Sequence, residues 1–155
     1  MAAPEPERHL VVFSLHGEHY ALAVGSVREI IRYRPPSVTA AASGLFQGMI
    51  NLRGAVLPIV DLSSRLERQL EVSRATRIMV IELRRGPLGL IVDRVEGVRR
   101  VAAEQIERLP AGIAADGLGK EIAVVEERLI TLIDAERALG GALPARAPRR
   151  RRTTQ

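Results

Sequence analysis

Two series of mostly apolar residues recur along this chain at fixed spacing, and that recurrence restricts the possible folds more than any single motif. Phe13, Leu15, Tyr20, Leu22, Val24, Val27 and Ile30 are matched by Ile81, Leu83, Leu88, Leu90, Val92, Val95 and Val98, each 68 positions later. A second series, Val56, Leu57, Ile59, Val60, Asp61 and Leu66, returns as Leu129, Ile130, Leu132, Ile133, Asp134 and Leu139, each 73 positions later. Order is kept and the offset grows by five, so the second copy is longer by about that many residues. The series imply two related subdomains, each of roughly 70 residues. A unit that small is marginal alone and has to bury apolar surface against its twin.

The local pattern inside the copies is mostly that of strands. "HLVVFSL" and "HYALAV" flank "HGE" and predict a hairpin turning near Gly17. "TRIMVIEL" and "LGLIVD" predict a second, turning at "RRGP", and "EIAVVE" with "LITLID" a third. In "VGSVREIIRY", Val24, Val27, Ile30 and Ile31 lie at helical spacing behind Ser26, which predicts a short helix ended by Pro35 and Pro36. "DLSSRLERQL" predicts another, capped from Asp61 or Ser63, and "AERALGG" a closing helix stopped by glycine. Between the first two hairpins, "GMINLRGAVLPIVDL" is two apolar runs broken by Asn51, Arg53 and Gly54, a strand pair that turns at Arg53-Gly54. Residues 1–8 and 144–155 are polar and rich in proline, alanine or arginine, and read as disordered arms around a folded part spanning 9–143.

The charge balance first suggests a nucleic-acid binder and then withdraws the suggestion. The formal charge is +5. Arg146, Arg149, Arg150, Arg151 and Arg152 all lie in the last ten residues with no acid among them, so the rest of the chain is formally neutral. Aromatic residues make up only 3% and Trp is absent, which leaves few platforms for stacking bases. Nucleic acid, anionic lipid or an acidic partner is therefore an expectation for the tail alone. No apolar run is long enough to span a bilayer and no secretory leader is evident, which predicts a cytoplasmic protein. The absence of cysteine removes thiol nucleophiles and thiolate metal sites.

Catalytic groupings do not assemble. His9, His16 and His19 all fall in the first hairpin, where edge-strand and turn positions account for them; a metal site there would need Glu18 as an additional ligand. "GLGK" lacks the spacing and the hydroxyl residue of a phosphate loop, and Asp93 with Glu96 has neither base nor nucleophile beside it. The serines stand outside any G-x-S-x-G elbow. No catalytic residue, metal ligand or cofactor site is assigned, and the chain reads as a protein that holds other proteins.

The stretch "GMINLRGAVLPIVDL", followed by "TRIMVIELRRGPLGLIVDRVEGV" and preceded by "YALAVGSVREII", resembles the CheW family of bacterial chemotaxis coupling proteins over about residues 9–140. The resemblance implies a mainly β fold of two SH3-like five-stranded β-barrel subdomains with short helices. It also implies a non-enzymatic adaptor that joins the cytoplasmic tips of chemoreceptors to the regulatory domain of a histidine autokinase. By the same resemblance Val27, Glu29, Ile30 and Arg53 fall in the receptor-binding region, and Ile31, Arg34 and Val38 in the region linked to kinase contact. A guanidinium on a rigid hairpin suits a partner's carboxylates or carbonyls, while the structural alternative is that Arg53 pairs internally with an acid such as Glu29 and pins the subdomain interface. Burial in the local core competes with a binding role for Val27 and Ile30. The arginine tail and the segment "LPAGIAADGLGKEIA" depart from the family pattern. An alternative keeps the fold but makes the chain an accessory protein of a non-flagellar chemosensory pathway, contacting nucleic acid or other partners through its tail.

Overall fold

In a computed structural model that describes residues 7–38, 42, 44–110 and 118–143, the two sequence copies exchange strands. The first copy runs β1 (Arg8–Leu15), β2 (Glu18–Ala23), β3 (Val27–Arg32), β4 (Phe46–Leu52) and β5 (Ala55–Asp61). The second runs β6 (Arg77–Leu83), β7 (Gly86–Val92), β8 (Arg94–Val101), a short β9 (Ile106–Arg108), β10 (Glu121–Val125) and β11 (Arg128–Leu132), then the helix α1 (Ala135–Leu139). One sheet has the order β8-β1-β2-β11-β10-β9 and the other β3-β6-β7-β5-β4. The leading hairpin of each copy is thus completed by the trailing strands of the other, and neither copy owns a sheet.

The registers repeat with the sequence. Val27 lies opposite Ile81 and Glu29 opposite Val80 across β3 and β6, with a bulge between them. At the corresponding positions of β8 and β1, Val95 faces Phe13 and Gly97 faces Val12, again across a bulge. The parallel pairings match too: Ile59 opposite Gly89 has its counterpart in Leu132 opposite Ala21. The echoed residues Phe13, Leu15, Tyr20 and Leu22 pack with Ile81, Leu83, Leu88 and Leu90 in one shared core, sealed by Ala135, Ala138 and Leu139 of α1. Each sheet also has a smaller cluster of its own, Leu10, Val12, Ala123 and Ile130 in one and Ile50, Leu57, Ile59 and Ile78 in the other.

Two expectations are revised. The ladders are not closed five-stranded barrels: β9 adds a sixth strand to one sheet, and among the described residues no ladder joins the edge strands. In the five-stranded sheet a bridge spans the gap, where Ser37 and Met49 exchange both backbone hydrogen bonds at 2.8 and 3.0 Å. Gly48 permits this approach, since with φ of 139° a Cβ there would stand 2.2 Å from the Ser37 carbonyl oxygen.

The second revision concerns "VGSVREIIRY", which is no α-helix. Val24–Ser26 makes one 3-10 turn and Val27–Arg32 is a strand whose side chains alternate between half-buried and exposed. Val27, Ile30 and Ile31 are β-branched and favour a strand, and the bulge after Val27 displaces the alternation so that it imitates helical spacing. Likewise "DLSSRLERQL" contains only a 3-10 turn, Ser63–Leu66, in which the Asp61 carboxylate accepts from the Ser63 amide at 2.9 Å. The closing helix forms where expected, capped by Asp134 accepting from the Arg137 amide. Of the expected arms 1–8 and 144–155, residues 1–6 and 144–155 lie outside the described residues, while β1 begins inside the first at Arg8, whose guanidinium pairs with Glu121 at 2.8 Å.

Candidate functional site

The Arg53-Gly54 pair makes the β4–β5 turn, with φ of 49° and 84°. Two successive positive φ values define the mirror-image turn that suits a two-residue hairpin. Gly54 adopts this conformation freely, while Arg53 is held in it by its surroundings. Asn51 accounts for the motif's asparagine: its Oδ1 accepts the Gly54 amide at 2.9 Å and braces the turn from inside. The Arg53 side chain projects from this braced base with 68% of its area exposed.

Arg53 donates to the Glu29 carboxylate of β3, so the internal pairing considered from sequence does form. It does not exclude a partner. A guanidinium carries five N–H donors, and one carboxylate leaves most of them available on a side chain this exposed. Glu29 is more covered than its partner, so the pair orients the arginine from behind. Because β3 and the β4–β5 turn belong to opposite edges of the sheet, this pair and the Ser37–Met49 bridge together draw the two edges close.

The other sequence-derived positions divide by strand face. Val27 is half-buried against the shared core, whereas Ile30 points outward with 42% of its area exposed. Val56, on β5 next to the turn, is also exposed and was not singled out from sequence, where it reads as an ordinary strand residue. Among the positions linked to kinase contact, Ile31 packs into the sheet's own cluster beside Tyr33, while Arg34 and Val38 lie on the surface, Val38 with 80% exposure. Tyr33 is half-buried, and burial first and the Asp61 carboxylate second hold its phenol above the ordinary value, so the ring stays neutral beside Ile31. Glu29 and Ile30 thus lie on the edge strand β3, Arg53 on the β4–β5 turn and Val56 on β5 beside that turn, and Arg34 and Val38 follow on the segment leaving β3.

Groups that resemble chemistry elsewhere serve the fold. His16 Nε2 lies 2.8 Å from Ser63 Oγ, but Ser63 is only 2% exposed, and Asp93 accepts from the His16 backbone amide, not from its ring. A cleft of about 910 Å³ beside the six-stranded sheet includes Arg8, Glu121, Asp134 and Arg137. Its acids are committed, Glu121 to Arg8 and Asp134 to the α1 cap. Among the described residues no group of three or more histidines and carboxylates is placed to hold a metal ion, and no helix is long and apolar enough to cross a membrane.

Comparison with known proteins agrees with this architecture. The family model described as CheW-like domain matches residues 9–142. A chemotaxis protein CheW of Bacillus subtilis is 35% identical over 133 residues, covering 84% of this chain and 85% of the relative. A probable chemotaxis protein CheW of Rhizobium etli is 33% identical over 134 residues, covering 84% and 86%. The crystal structure of the scaffolding protein TtCheW from Thermoanaerobacter tengcongensis superposes with a TM-score of 0.76 at 30% identity, covering 83% of this chain and 89% of that one. The strand-exchanged repeat, the braced N-L-R-G turn and these matches together make the chain a member of the CheW-like family.

Proposed function

We propose that this chain is a non-enzymatic adaptor that couples chemoreceptor cytoplasmic tips to a histidine autokinase in chemotaxis signalling, with Arg53 at the receptor contact. The observation that carries the reading is the Arg53 guanidinium, held on a two-residue turn, oriented by Glu29 and open to solvent, with the exposed Ile30 next along β3. A rigid planar cation next to apolar surface fits a helical partner that presents a carboxylate and an aliphatic side chain. The partly unpaired segment after β3, with Arg34 and Val38, gives the kinase regulatory domain a separate place to dock. Val27 supports this face from beneath, and Ile31 anchors the segment to the core. The family membership and the scaffolding protein among the similar structures support the same reading.

Pull-downs at moderate salt of wild type, Arg53→Glu and a 1–144 truncation, against a receptor cytoplasmic tip and the autokinase regulatory domain, test this. All three are expected to retain the kinase domain, and only Arg53→Glu to lose the receptor, by about 2 kcal/mol or more. Loss of both partners on removing the tail, or receptor binding indifferent to Arg53, refutes it.

A further inference from the structure

The β10–β11 turn of the second copy is the structural counterpart of the Arg53 turn, and its charges are reversed. Arg53-Gly54 corresponds to Glu126-Glu127, 73 positions later, and the backbone matches, with φ of 52° and 64° at the two glutamates. In the first copy the turn carries the cation and strand β3 the acid, Arg53 on Glu29. In the second the turn carries the acid and strand β8, the counterpart of β3, carries the cation: Glu126 pairs with Arg99 at 3.3 Å. Glu126 is 68% exposed, the same as Arg53. The apolar surroundings are retained, since the outward Ile30 and Val56 have exposed counterparts in Val98 and Leu129.

The fold therefore displays two similar faces, and an apolar partner surface alone would not choose between them. We infer that Glu126 and Glu127 are specificity determinants that keep the carboxylate-bearing receptor segment off the second face, so that each molecule takes one receptor tip. The inference rests on the receptor reading proposed for Arg53. At the first turn a carboxylate meets guanidinium donors; at the second it meets two carboxylates, with the Arg99 guanidinium drawn back onto Glu126. Like charges brought together at an interface disfavour the wrong partner more strongly than a lost contact does.

Amide chemical shifts of the labelled protein, titrated with a receptor-tip helical hairpin, separate the possibilities in wild type and in Glu126→Arg/Glu127→Gly. Wild type is expected to shift only around Arg53, Ile30 and Val56, at one tip per molecule. The double variant should gain a second set around Val98 and Leu129 and approach two tips per molecule. Shifts at both faces of wild type, or none gained by the variant, overturn the inference. A tip that fails to shift the Arg53 face instead counts against the receptor reading. A partner-free arm tests separately the charge reversal on which the inference stands. Amide broadening by anionic and cationic nitroxide cosolutes should favour the anionic probe at Arg53-Gly54 and the cationic probe at Glu126-Glu127, with the second preference reversed in the variant. Equal preference at the two turns of wild type overturns it.

Discussion

Gly48→Ala tests whether the sheet that carries Arg53 depends on the close approach of two backbones. An alanine Cβ would stand 2.2 Å from the Ser37 carbonyl oxygen, where a carbon–oxygen contact needs roughly 3.3 Å. The Ser37 segment must retreat by about 1 Å, which breaks the two hydrogen bonds shared with Met49; net losses of about 0.5–1.5 kcal/mol each are ordinary. Holding a side chain at φ of 139° adds about 1–3 kcal/mol. The total is about 2–6 kcal/mol, a large share of the stability of a small domain. Gly17→Ala is the control, because φ there is 82° but nothing lies within 4 Å of the added carbon, so only the backbone penalty of about 1–2 kcal/mol applies. Urea unfolding followed by far-ultraviolet circular dichroism should show Gly48→Ala less stable than Gly17→Ala by at least about 1 kcal/mol. Hydrogen exchange at the Ser37 and Met49 amides should accelerate in Gly48→Ala alone. Equal stabilities with unchanged exchange would refute the argument.

Other consequences follow from the same geometry. Arg53→Glu should change unfolding free energy by no more than about 1 kcal/mol, because the Glu29 pair is solvent-screened; loss of cooperative unfolding would make the arginine a structural element. Leu90→Ala, at a fully buried position of the shared core, should cost about 2–5 kcal/mol in the same urea assay. The raised ionisation of Tyr33 has a definite sign. Above pH about 10 the unfolded chain loses the phenolic proton that the folded chain keeps, so stability falls as pH rises through that value. Tyr33→Phe should reduce this alkaline loss, as read from urea midpoints between pH 8 and 11.

The hairpins and the internal repeat were legible because strand pairs closed by tight turns write a period of two into the sequence, and the shared core requires apolar residues at matched places in both copies. The strand exchange was not legible, since sequence spacing relates β1 to β6 and β3 to β8 without saying which copy's β3 completes which hairpin. β3 itself was misread for a reason tied to function. Its bulge and the outward Ile30 break the alternation that a strand buried on one face displays, and Ile30 is outward where the proposed partner binds. At Arg53 the sequence supplied both readings, internal pair and partner contact, and the fold accommodates both in one side chain. The acidic counterpart at Glu126-Glu127 escaped notice because an apolar repeat does not record charge.

The proposed adaptor holds a receptor and a kinase at once through separate faces, Arg53 with Ile30 for one and Arg34 with Val38 for the other. Sedimentation velocity of the chain mixed with a receptor tip and the autokinase regulatory domain, at moderate salt, tests it most directly. A ternary species heavier than either binary complex is expected, from which Arg53→Glu removes only the receptor. Two binary complexes that compete for the chain and never combine would contradict it.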